Sequence, residues 1–298
     1  MFPNFKQRIL IICSASIGAF ILIFAAHALM PKDASTGIVL LNANLGLLPA
    51  LFSLLIYAIP AIVLALLCSA AGHPYAGLLV ASFSLLVLAA AGGSPEGFIW
   101  SIESPQQYLT LIFETLIWLA LFIAFLFAIH ITRPTLRKKL EHVPSLQTHA
   151  PDFNLFVNFN SNAIIALLLS AGIAGFLTNN LILSTATAQS TCSLILAFGL
   201  AAFLTKLIIP KTNPLAIFLS PFLVAIVAYA LIRFNATSYP TMTALYIKLY
   251  QQDFPGMAIA LPIQYASAAV FGSVLGYSAG SSMDAAFTHE NDADPATT

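Results

Sequence analysis

Long apolar runs organise this chain, not the period-two alternation of half-buried strands or the single stripe of a surface helix. Eight segments are predominantly apolar, built mostly of Leu, Ile, Val, Ala and Phe: 9–30, 45–70, 76–93, 108–131, 161–183, 190–209, 215–234 and 258–280. A helix needs ~20 such residues to cross the hydrocarbon core of a bilayer. Lipid offers backbone N–H and C=O groups no partner, so an open-ended crossing must be helical. A β-barrel would show ~10-residue alternating segments, and none stands out. The pattern predicts an all-α, polytopic membrane bundle of eight transmembrane helices.

Breaks in the pattern divide it further. Residues 1–131 hold helices one to four. Residues 132–160 read as a basic, cytoplasmic linker whose end (Phe153, Leu155, Phe156, Val157, Phe159) is apolar enough to lie among headgroups. Residues 161–280 hold helices five to eight, and 281–298 read as an acidic, disordered tail. Ser94-Pro95-Glu96 is a helix start followed by Phe98, Ile99 and Trp100, which predicts a short interfacial helix. Met242, Leu245, Tyr246, Leu249 and Tyr250 predict a second flat helix within 235–257. The third and seventh spans open alike, with His73-Pro74 and Asn213-Pro214, and each leads into such a loop. That similarity suggests a parallel four-plus-four repeat. The mid-span prolines, Pro60 and Pro221, do not correspond between the halves. Each removes a backbone donor and marks a kink.

Composition sharpens the class. Of the 298 residues 59% are hydrophobic and only 7% charged, with 11 Lys+Arg against 11 Asp+Glu. A soluble domain carries ~25% charged residues, and a nucleic-acid binder needs a basic excess; both are excluded. Placing the N-terminus in the cytoplasm puts Lys6, Arg8, Arg133, Arg137, Lys138, Lys139, Lys206 and Lys211 inside, and Lys32, Arg233 and Lys248 outside. The positive-inside rule favours that arrangement, with both termini cytoplasmic in an inner or equivalent membrane. The first span is longer than the ~7–15-residue core of a signal peptide and reads as an uncleaved helix. Cys13, Cys68 and Cys192 sit in apolar runs and suggest neither a disulfide framework nor a metal site.

Candidate chemistry is sparse. Ala268, Gly272, Gly276 and Gly280 recur every four residues, a stripe that lets a neighbouring helix approach closely. The G-x-S-x-G match over Gly276–Gly280 falls within that helix, whereas the hydrolase motif needs a strand-turn-helix elbow. Glu114 lies within the fourth span, ~9 Å along the helix from its outer end. A charge inside hydrocarbon is expensive, so the acid is expected to find a partner. Arg233 and His27 are the basic groups at comparable depth; Asn179, Asn180 and Gln264 complete an expected outer polar crevice. No cofactor or metal site is indicated. The expected partners are the bilayer and either a membrane protein or a second copy of the chain. The sequence points first to a transporter or permease for a small solute or lipid. A non-catalytic subunit of a membrane complex comes next, and an outer-leaflet enzyme acting on a lipid-linked substrate last.

Overall fold

The computed structural model describes residues 5–29, 37–43, 46–72, 74–101, 107–140, 160–235, 247–248, 251 and 254–292. Its helices are α1 (Phe5–Leu29), α2 (Leu47–Ala71), α3 (Pro74–Ala91), α4 (Pro95–Ser101), α5 (Tyr108–Leu140), α6 (Ser161–Leu181), α7 (Thr187–Ile208), α8 (Pro214–Phe234) and α9, residues 262–292. No strand occurs among the described residues. Six helices (α1, α2, α5, α6, α7 and α8) are long and apolar enough to cross a membrane. The chain is therefore a multi-pass membrane protein. α3 is shorter, with 18 residues. α9 changes character along its length: Pro262–Gln264 is α-helical, Tyr265–Ala269 π-helical and Val270–Asp292 α-helical again.

Local sequence explains the helix starts. The Asn160 side chain accepts from Ala163 N at 3.2 Å and caps α6. Asn213 accepts from Leu215 N at 2.9 Å and caps α8, whose first residue, Pro214, has no N–H to satisfy. Helix continues past the bounds expected for the start of the linker (132) and of the tail (281). α5 continues through Pro134 to Leu140, with Arg137, Lys138 and Lys139 in its last turn, where cations complement the helix dipole. α9 likewise runs on to Asp292. A helix leaving lipid need not stop, because water solvates its polar face. Residues 141–159 and the flat helix expected around 242–250 lie outside the described residues, apart from Ile247 and Lys248.

Of the six apolar helices, α8 is the most buried and α2 the least. The small-residue stripe of α9 faces α7. A Cβ on Gly276 would lie 1.9 Å from the Gly199 carbonyl oxygen, and one on Gly272 would lie 2.4 Å from that of Ile195. A Cβ on Gly280 would meet the Lys206 side chain at 3.0 Å. Dispersion over this backbone-to-backbone contact drives association where the hydrophobic effect is absent. α3 sits equally close to α2: a Cβ on Gly77 would lie 2.6 Å from the Ala65 carbonyl oxygen.

Candidate functional site

The end of the bundle where α5, α7 and α9 begin is closed by two non-helical segments folded inward. One is 37–43, where Ile38, Val39 and Leu40 are almost wholly buried and Leu40–Asn42 forms a single 3₁₀ turn. The other is 254–261, which contains the 3₁₀ turn Gly256–Ala258 and buries Ala258, Ile259, Ala260 and Leu261. The two touch: a Cβ on Gly37 would fall 2.4 Å from Leu261 Cδ1. Irregular backbone at membrane depth survives only if protein satisfies its polar groups.

Helix side chains supply those partners. Glu114 is 0% exposed, and the backbone N–H groups of Leu40 and Leu41 are directed at its carboxyl group. Trp118 Nε1, one turn further along α5, donates to Glu114 Oε1 at 3.2 Å, while Oε2 has no hydrogen bond of ordinary geometry. Glu114 thus caps the orphan donors that open the 3₁₀ turn. The second segment is held by Tyr229 Oη, which donates to Ala260 O at 2.6 Å, and Tyr265 Oη, which donates to Met257 O at 2.6 Å. Gln264 Oε1 accepts from Leu261 N at 2.9 Å, and its Nε2 donates to Ser190 Oγ at 3.0 Å. Thr187 Oγ1 donates to Gly93 O at 3.2 Å, tying α7 to the end of α3. The rings of Tyr108, Tyr229 and Tyr265 pack in series, with centroids 6.1 and 6.3 Å apart.

The residues expected to form one crevice are therefore dispersed. Glu114 and Arg233 are not paired: the Arg233 guanidinium carbon stands 5.6 Å from the ring centroid of the exposed Phe234. The helix turns Arg233 toward that flank while Glu114 faces inward. Asn179 and Asn180 are exposed, with Asn180 Nδ2 donating to Phe176 O at 2.7 Å. Gln264 is buried and joined to Ser190. The side chain of His27 lies outside the described residues. Pro221 is buried in α8 beside Ser220, whose Oγ lies 3.1 Å from Ser170 Oγ of α6. Trp118 and the three tyrosines had no place in the expectation. In sequence they read as apolar span residues: Trp118 serves a side chain one turn away, and Tyr229 and Tyr265 serve carbonyls of an irregular segment that has no pattern of its own.

A cavity of about 280 Å³ adjoins this end of the molecule, between α2 and α5. Leu54, Ala58 and Ile62 of α2 face Trp118, Phe122 and Phe125 of α5 across it, and its remaining lining is almost wholly apolar. α3 and α9 contribute the floor through Leu78, Ser82 and Val270. Ser82 Oγ is occupied by Leu78 O at 2.6 Å, so the hydroxyl offers the cavity little. At the rim Leu55 is 45% exposed and Ala124 is also exposed, so the slot opens on the flank of the bundle. Pro60 lies in the α2 wall, between Ala58 and Ala61. Trp118 belongs to both regions, bonding Glu114 on one side and lining the slot on the other.

The opposite end carries the basic residues. Lys206 is buried on α7, where Nζ lies 3.3 Å from Asp284 Oδ2 of α9 and 5.7 Å from the Tyr277 ring centroid. Arg133, 7% exposed, donates from Nε to Ser69 O at 3.2 Å. Among the described residues no three His, Cys, Asp or Glu side chains cluster as metal ligands would. No protein-family model, curated protein or solved structure matches the chain.

Proposed function

We propose that this chain is an eight-span, transporter- or permease-like membrane protein whose cargo is a lipid or another apolar molecule held in the slot between α2 and α5. The observation that carries the reading is the slot itself. Its volume of about 280 Å³ falls just below the ~300–1,000 Å³ typical of small-molecule sites. Its lining offers no row of polar groups for a hydrated solute, and its mouth faces the flank that lipid covers. An enzyme at Glu114 is disfavoured by the acid's complete burial and its engagement with backbone donors.

α3 and α9 supply the seventh and eighth crossings. At 1.5 Å per residue the 18 residues of α3 span roughly 27 Å, close to the ~30 Å hydrocarbon core. The cytoplasm lies at the end bearing Lys6, Arg8, Arg133 and Lys206, and both termini face it. Helix α4 after α3, and the helical residues Ile247 and Lys248 after α8, stand in corresponding places and support a parallel four-plus-four repeat.

Photolabelling tests the assignment. A phospholipid with a diazirine at mid-chain should label peptides containing 54–62 and 121–128 far above other lipid-facing segments, and Ala58→Phe, which fills the slot, should abolish the excess. Uniform labelling along all exposed helices would remove the slot as a site. Protection of these peptides by a co-purifying protein would instead favour the subunit reading.

A further inference from the structure

A second cavity, of about 110 Å³, lies at the basic end between the start of α1, the end of α2, the start of α3 and α9. One water needs only ~10–15 Å³ of such space, so a larger group fits. The lining is graded. Leu10 and Leu79 make its apolar side, while Gln7, Tyr75, Ser281 and Ser282 make its polar side. Gln7 is 2% exposed and anchored through Nε2 to Ala71 O at 3.2 Å. The Tyr75 and Tyr277 rings meet edge to face at 5.3 Å, and the Tyr277 hydroxyl is hydrogen-bonded to Tyr75 and Ser281. These contacts set a chain of hydroxyls from α3 to α9 at the cavity wall.

Cationic residues stand near this cavity without lining it. Arg133 acts electrostatically on Tyr75, and the exposed Lys6 and Arg8 are the sequence neighbours of Gln7 on α1. The nearby Asp284 is paired with Lys206. Hydroxyl and amide donors beside a cation suit a phosphodiester, and basic groups at a membrane surface attract anionic lipid. The change from polar to apolar lining matches the change from headgroup to acyl chain along one phospholipid.

We infer that this cavity binds the headgroup of an anionic phospholipid, with the phosphodiester among Gln7, Tyr75 and Ser281 and the chains leaving along Leu10 and Leu79. The site is separate from the slot, and its occupancy does not depend on what the slot holds.

Native mass spectrometry of the full chain in detergent tests this, with phosphatidylglycerol, phosphatidylcholine of identical chains and inorganic phosphate as probes. The wild type should retain phosphatidylglycerol in preference to phosphatidylcholine, and phosphate should not compete it off. The near-isosteric double variant Tyr75→Phe/Ser281→Ala should weaken retention at least about tenfold, since the loss of even one hydrogen bond to a charged group costs roughly that much. Ser282→Phe, which fills the cavity, should abolish it, and Ala58→Phe in the slot should leave it unchanged. Circular-dichroism melting separates lost binding from lost fold, and the double variant decides the matter if Ser282→Phe does not fold. Equal retention of both lipids, undiminished retention by the double variant, or displacement by phosphate alone would each overturn the inference.

Discussion

Glu114 shows how one residue can be conspicuous in a sequence while its task stays hidden. An acid amid Phe113, Thr115 and Leu116 stands out because ionising it in hydrocarbon is costly. The natural search is for a basic side chain at the same depth, and it leads to Arg233 and His27. Its actual partners are Trp118 and the amides of Leu40 and Leu41, and no pattern of side chains announces a backbone partner some seventy residues away. Replacing Glu114 with Ala should strand those buried donors, at about 1–3 kcal/mol for each one left unmade. Glu114→Gln, whose amide oxygen can still accept, should retain much of the stability, and Glu96→Gln on the exposed face of α4 should change it by less than ~0.5 kcal/mol. Thermal unfolding in detergent ranks the three. Equal, small effects for all would contradict the capping role. Tyr229→Phe makes the companion case at the second inward segment. It removes the donor to the buried Ala260 carbonyl, and its melting temperature should fall while that of Tyr57→Phe, on a more exposed position of α2, does not.

Elements were legible to the extent that lipid imposes a rule on them. Long apolar runs must be helical, and the six helices able to cross a membrane lie where such runs occur. Their polar ends were not legible. Once α5 and α9 leave lipid, hydropathy no longer controls whether the helix continues, so α5 reaches Leu140 and α9 reaches Asp292. The short irregular segments 37–43 and 254–261 were equally opaque, because a few buried apolar residues in a loop carry no periodicity. The α7–α9 contact makes a graded test. At Gly276 an added methyl would collide with the Gly199 carbonyl, a rigid obstacle, so Gly276→Ala should cost at least the ~1–3 kcal/mol of an overpacked core. At Gly172, on α6, nothing lies within 4 Å of the added carbon. Gly172→Ala should therefore stabilise the protein by roughly 0.5–1 kcal/mol through helix propensity. A reversed order in melting temperature would mean that α7 and α9 are not in this contact. Asp284→Asn removes the partner of Lys206 across the same pair of helices. Because Asp284 is one-third exposed, the loss should stay within about 1 kcal/mol, measured in the same way.

At the scale of the whole molecule the two ends differ in kind. One end is closed by inward-folded backbone tied to Glu114, Tyr229, Tyr265 and Gln264. The other is basic, with a hydroxyl-lined cavity and the Lys206–Asp284 pair. Between them the slot opens sideways on an apolar face, a shape suited to a molecule that never leaves the bilayer. Tryptophan fluorescence reads that slot directly. The chain has two tryptophans, Trp100 and Trp118, and Trp118 is 3% exposed and lines the slot. In a Trp100→Phe background reconstituted into bilayers of phosphatidylcholine brominated at mid-chain, only an acyl chain inside the slot can bring bromine against the Trp118 ring. Strong quenching of Trp118, relieved when Ala58→Phe fills the slot, is the predicted result. Quenching no greater in the open slot than in the filled one would contradict the account.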